Sequence, residues 1–255
     1  MQVVLKLGGA VVLDSAQVRM VARDIDALLD EGHHVAVVHG GGPQLDKALQ
    51  EAGEAGAKLD GLRVTSKAAA AIVHKVMDGI GADLAELLQD EGLQAEHVAG
   101  APDRLAASVK KVKAGDLGRV GTVESFGAKD LPEGVPIITP VGFDRRGPLN
   151  VNADEGACAV AAALHADWLI LGTDVSAVRD ARGTSIQSLT PAKARELIAT
   201  SAATGGMIPK LTSAMAALGH GVRRVLITKL QPGTLADAVL EGRCEGTLVT
   251  EERTP

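Results

Sequence analysis

The segment Leu149–Val175, LNVNADEGACAVAAALHADWLILGTDV, limits the fold more than any other part of the chain. It reads as a short loop, a helix and a strand, polar at both ends and almost wholly apolar between them. From Ala157 to Ala163 the helix carries only Ala, Cys and Val, so it should be buried rather than amphipathic. Trp168–Gly172 is an unbroken apolar run, as expected of a parallel strand covered on both faces. Open α/β sheets bind ligands where strands end and helices begin, so polar residues at these mouths are candidates for chemistry. Asn150, Asn152 and Asp154 stand at one mouth, Thr173 and Asp174 at the other. A helix cap uses one such residue; three within five positions exceed that need.

The rest of the chain alternates in the same way. Gln2–Leu7 is an apolar strand interrupted by Lys6 and followed by Gly8 and Gly9. A lysine there either snorkels to water or needs an anion for its ammonium. Asp14–Glu31 has the i, i+3, i+4, i+7 pattern of an amphipathic helix, with Asp14 and Gln17 resembling a capping box and Gly32 as the stop. Strand Val35–His39 runs into Gly40, Gly41 and Gly42, and Pro43 suits the first position of a helix. Strand, glycine run and helix together turn backbone N–H groups toward an anion. The run is neither a dinucleotide fingerprint nor a Walker loop. His39 reads as a hydrogen-bonded core residue.

After a turn at Gly61, Arg63 is either a surface charge or the bidentate fork for a carboxylate. A helix from Ser66 to Glu91 contains Gly79 and Gly81, each costing ~1 kcal/mol relative to Ala, which close packing on another helix, of this chain or of a second subunit, would offset. Ser108–Lys113 and Arg119–Ser125 form a hairpin with Lys110, Lys111 and Lys113 on a solvated face and no evident chemistry; Pro136–Pro140 is a short strand. Helix Pro191–Thr200 precedes ATGGMIPKL, which puts Lys210 in the first turn of a helix, where the macrodipole disfavours a cation by ~0.3–1 kcal/mol unless both face a phosphate. Strand Arg224–Thr228, helix Leu235–Leu240 and strand Thr247–Val249 complete the alternation.

Composition removes several classes of function. Two Phe, one Trp and no Tyr argue against base stacking, and a net charge of −6 without a basic run argues against nucleic acid. Cys158 and Cys244 have neither metal-ligand spacing nor the look of a disulfide framework. With the first strand starting at Gln2 and no apolar stretch of membrane-spanning length, the expectation is a cytoplasmic protein without a membrane partner. What remains at the strand ends is two lysines, an aspartate and glycine runs, without a Ser or Cys nucleophile paired with His. That inventory suits phosphoryl transfer by positioning and charge stabilisation, with Lys6 and Lys210 flanking the moving group and Asp154 holding their ammoniums.

LKLGG, VHGGGPQ, GLRVT, NVNADEGA, LGTDVSAV and GGMIPK, in this order and spacing from Val3 to Thr247, resemble the amino-acid kinase family and within it the acetylglutamate kinase branch. The resemblance implies a three-layer αβα sandwich with a central, mainly parallel sheet. It implies one domain over 1–255, with an acceptor-binding lobe over about 1–165 and a nucleotide-binding lobe over about 166–255. The implied reaction is ATP-dependent phosphorylation of the γ-carboxylate of N-acetyl-L-glutamate in arginine biosynthesis. Lys6 and Lys210 would stabilise the transferring group and Asp154 would organise them. Gly41, Gly42, Arg63 and Asn150 would bind the acyl amino acid, and Gly8 and Gly9 would lie against the phosphates. Asp174, Val175, Ser176, Ala177, Val178, Arg179 and Thr204 would form the nucleotide pocket. Magnesium would arrive with ATP, needing no dedicated protein ligand, and the helix Ser66–Glu91 would join a homodimer. Two alternatives stand beside this: a kinase of a carrier-protein-linked glutamate or aminoadipate, and a catalytically silent sensor on the same fold. The chain departs from the family pattern at Ala82 and Asp83, at AGAPDRLAA, and at Ala177.

Overall fold

The computed structural model describes residues 1–59, 62–112 and 115–251. The turn at Gly61 and the side chain of Lys113 lie outside them. The chain runs β1 (Gln2–Leu7), the single turn α1 (Gly9–Val12), α2 (Ser15–Asp30), β2 (His34–His39), α3 (Gly42–Glu51), β3 (Lys58–Leu59), β4 (Leu62–Arg63) and α4 (Lys67–Asp90). Then come β5 (Ala95–Val98), β6 (Leu105–Val109), β7 (Gly121–Phe126), β8 (Val135–Ile138), β9 (Val141–Asp144), β10 (Gly147–Asn150) and α5 (Ala153–Ala163). The remainder is β11 (Trp168–Gly172), β12 (Ser188–Leu189), α6 (Pro191–Ala199), α7 (Met207–Gly219), β13 (Arg224–Thr228), α8 (Thr234–Leu240) and β14 (Thr247–Val249).

An eight-stranded sheet, in the order β12-β14-β13-β11-β1-β2-β8-β5, forms the middle layer, and its pairs are parallel except β13 with β14. Strand alternation assigns the two faces. Val4, Ala36, Val38, Leu169, Leu171, Val225 and Ile227 pack toward α5, α6 and α7. Val3, Leu5, Val35, Val37, Ile170 and Leu226 pack toward α2, the C-terminal half of α4, and α8. Lys6 falls between Leu5 and Leu7, two residues after Val4, and so belongs to the face of α5. A second sheet, β10-β9-β6-β7, crosses over that side.

Several sequence expectations change here. Leu149 and Asn150 end a strand rather than form a loop, because β10 pairs with β9 around a turn at Arg145 and Arg146. α5 is not buried all round: Ala159, Ala162 and Ala163 are only partly covered and face a cleft. The capping box is half made. Asp14 accepts from the N–H groups of Ala16 and Gln17, but the Gln17 amide donates to the Asp14 carboxylate, since the Asp14 N–H is already given to Val11 O. Gly81 is compensated within the chain, where a Cβ would lie 2.6 Å from the His97 ring and 2.9 Å from His39 Nε2. Gly79 faces open space.

Candidate active site

β1 and β2 are neighbours, so the glycine runs that follow them emerge side by side. Gly40 N–H donates to Leu7 O at 2.8 Å. A Cβ on Gly9 would lie 2.8 Å from Gly42 N and 3.1 Å from Gly41 Cα, so the two backbones touch where no side chain fits. The Gln44 amide donates to Gly9 O at 3.3 Å and ties the runs together. Gly41 is the N-cap of α3 and has no side-chain cap, which leaves the helix's first N–H groups available.

Asn152 caps α5 by accepting from the N–H groups of Asp154 and Glu155. This frees the Asp154 carboxylate from capping and turns it toward the sheet. Lys6 Nζ stands 2.8 Å from Asp154 Oδ1 and Lys210 Nζ 2.9 Å from Oδ2. Their side chains are 9%, 14% and 5% exposed for Lys6, Lys210 and Asp154. Burial lowers the pKa of Lys6, opposed by Asp154 and reinforced by Lys210. Burial alone would raise the carboxyl of Asp154, but the two ammoniums outweigh it and hold it below the ordinary carboxylate value. Two cations around one anion leave a net positive charge in a buried place, which is where an anion gains most.

This triad opens on a cavity of about 720 Å³ whose wall includes Gly9, Gly40, Gly41, Gly42, Asn150 and Gly206. Asn150 donates from Nδ2 to Thr65 Oγ1 at 3.2 Å, and Thr65 exchanges backbone hydrogen bonds with Leu117 and Arg119. Arg63 is 17% exposed, and its guanidinium is ion-paired with Asp46 of α3; Leu62 before it lines the cavity. Gly8 caps α1, and a Cβ there would lie 3.7 Å from Gly172 O at the end of β11.

The segment expected to form the nucleotide pocket follows β11. Asp174, Val175, Ser176 and Arg179 are exposed, as is Thr204 before α7, and Asp174 accepts from Thr173 Oγ1 at 3.0 Å. Ala177 and Val178 are buried, and Val178 N–H donates to Thr247 Oγ1, so these two can offer a ligand little beyond backbone.

Sequence reasoning missed three contributors. Gln44 ties the glycine runs, and its place in the first turn of α3 was the available signal. Lys110 does not lie on a solvated face: its ammonium meets Glu155 Oε2 at 3.0 Å, while Glu155 Oε1 accepts from Val123 N–H at 2.8 Å. A second acid beside Asp154 was the hint. Asp46, the partner of Arg63, gave no local signal. His39 is fully buried and its pKa is pushed down to about 4, chiefly by burial, so it is a neutral core residue. Cys158 is pushed up to about 11 by burial and the nearby Glu155, an inert thiol. No group of three or more His, Cys, Asp or Glu among the described residues is arranged to hold a metal ion, and no helix among them is long and apolar enough to cross a membrane.

The profile of the amino acid kinase family matches residues 1–229. An acetylglutamate kinase of Cereibacter sphaeroides is 38% identical over 88% of this chain and 79% of its own length. One from Neisseria meningitidis is 34% identical over 98% of this chain and 84% of its own. Among solved structures, smu.665 from Streptococcus mutans superposes with a TM-score of 0.79 at 31% identity, covering 98% of this chain and 99% of that one. Carbamate kinase from Giardia lamblia shares the fold with a TM-score of 0.70 at 16% identity, over 98% of both chains.

Proposed function

The chain belongs to the amino acid kinase family, and from that premise we propose that it phosphorylates the γ-carboxylate of N-acetyl-L-glutamate with ATP, a step of arginine biosynthesis. The observation that carries the reading is the Lys6–Asp154–Lys210 triad, a preorganised surplus of positive charge at the wall of the acceptor cavity. A γ-carboxylate oxygen attacks the terminal phosphorus of ATP. A carboxyl O–P bond forms, the bond from phosphorus to the β–γ bridging oxygen breaks, and ADP leaves with the electron pair. The acceptor is already ionised, so no base is needed, in keeping with an Asp154 whose two oxygens each face an ammonium. Charge spreads over the phosphoryl oxygens in the transition state, and Lys6 and Lys210 stand ready for it without reorganising.

Gly8 and Gly9 lie against the phosphates, in runs that the bare Gly9 backbone lets meet. Gly41, Gly42 and Asn150 hold the acyl amino acid. Arg63 takes its α-carboxylate by exchanging Asp46 for it, so acceptor binding releases an ion pair at the rim. Residues 174–179 with Thr204 receive the nucleotide, so the lobe of about 1–165 serves the acceptor and that of 166–255 the nucleotide. Asp154 is engaged by both lysines and is no metal ligand; magnesium comes with ATP, held by phosphates and water, and supplies charge neutralisation on them. A second copy of the chain packs along α4, and the protein works in the cytoplasm. Incubation with ATP, magnesium and N-acetyl-L-glutamate, with hydroxylamine trapping the acyl phosphate, tests the reading. Hydroxamate should form only when all three are present, and its absence would sink the assignment.

A further inference from the structure

A second cavity, larger than the one at the triad, lies beside it. It holds about 850 Å³ between β7, α5 and α7, with Phe126, Ala159, Ala162, Ala163 and Ala216 on its walls. Leu62, Asn152, Ile208 and Pro209 belong to the walls of both cavities, so the two chambers adjoin across a neck that is apolar in three of its four residues. The larger chamber offers an apolar occupant little opposition. Lys110 and Glu155 are paired with each other, Glu124 and His220 of its wall are exposed to water, and the Cys158 thiol, pushed up to about 11, stays uncharged.

An acyl glutamate has two charged ends and one uncharged arm. On the reading above, the γ-carboxylate faces Lys6 and Lys210, and the α-carboxylate faces Arg63 and the amino end of α3. The N-acyl group is then the part left to meet Leu62, Ile208 and Pro209. We propose that the acceptor site continues through this neck and takes N-acyl-L-glutamates with acyl chains longer than acetyl, the chain lying between β7, α5 and α7. The proposal rests on the carboxyl-kinase reading and names its substrate class. A chamber of this volume is in the range that holds small organic ligands.

The test compares N-acetyl- with N-hexanoyl-L-glutamate in the intact enzyme. Each fully buried methylene is worth about fourfold in affinity. For four added methylenes in a cleft open to water we expect KM about tenfold lower for the hexanoyl compound, with kcat little changed. Ala162→Phe, on the partly covered face of α5, fills the chamber away from the neck and the triad. It should erase the advantage while leaving N-acetyl-L-glutamate kinetics unaltered. Ala216→Phe, exposed on α7, makes the same test if the first variant does not fold. Turnover of the acetyl compound with no gain for hexanoyl overturns this proposal alone, as does a gain that survives both variants. If neither compound is phosphorylated, the carboxyl-kinase reading falls and this inference with it.

Discussion

Asp154 answers to two ammoniums at once, and that sets different expectations for the three members of the triad. Removing either lysine leaves the carboxylate one partner but strips a charge from the transition state. Lys6→Ala and Lys210→Ala should each lower kcat roughly a hundredfold or more with circular dichroism unchanged; near-normal turnover in either would dismiss the two-lysine role. Asp154→Asn does more, because it leaves two cations facing each other in a buried place. Breaking a buried pair costs about 3–5 kcal/mol, so both kcat and Tm should fall, and a fall in neither would reduce Asp154 to a bystander. His39 gives a pH signature of folding. Its ordinary value of 6.5 drops to about 4 in the folded chain. Between those values the unfolded chain binds a proton that the folded one refuses, so the stabilisation is full above pH 6.5 and is lost as the pH falls toward 4, by about 3 kcal/mol. His39→Gln should flatten the dependence of Tm on pH across that window, and parallel curves for the two proteins would disprove the effect.

Among the elements, the glycine loops and the hairpin are held by contacts that substitutions can probe. Gly9→Ala would drive a methyl to within 2.8 Å of Gly42 N, so the runs must part. We expect at least a tenfold loss of kcat/KM with little change in Tm, and unchanged kinetics would mean the loops are free to separate. The pair Lys110–Glu155 joins the hairpin of β6 and β7, whose far end meets Thr65 and Asn150, to the helix that carries Asp154. Glu155→Ala should therefore raise the acceptor KM several-fold while leaving the KM for ATP alone, which a loss of stability by itself would not do. The legibility of the sequence follows the same division. β1, β2, β11 and β13 were readable because both faces are buried and the run is continuous, and α2 because its stripe repeats. β5, β9 and β10 are short, and β6 and β7 are covered mainly on one side, so their periodicity was too brief to fix bounds. Lys6 stood out as a charge in an apolar strand, Asp154 as a polar residue beyond the need of one cap and Lys210 as a cation in a helix's first turn, whereas the Arg63–Asp46 and Lys110–Glu155 pairs depend on where loops come to rest.

For the molecule as a whole, the proposed division into an acceptor lobe and a nucleotide lobe does not follow a gap in the sheet. β1 lies at its centre, hydrogen-bonded on one side to β2 and on the other to β11, from Val3 beside Trp168 to Lys6 beside Leu171. Gln2 also receives Asp167, through its N–H to Oδ2 at 2.9 Å and its carbonyl from the Asp167 N–H. A fragment ending at Ala166 would keep β1 and β2 but bare one edge of β1 along its length, a template for pairing with another chain. Such a fragment should aggregate on expression and recover solubility when the remaining segment is supplied; a soluble, monomeric fragment would argue for independent lobes. The same pairing bears on biosynthesis. β1 finds its second neighbour only after some 160 further residues have been made, so the nascent chain carries an open central edge over that whole stretch of translation, and slowing translation after Gly172 should help its yield less than a chaperone that shields that edge before it.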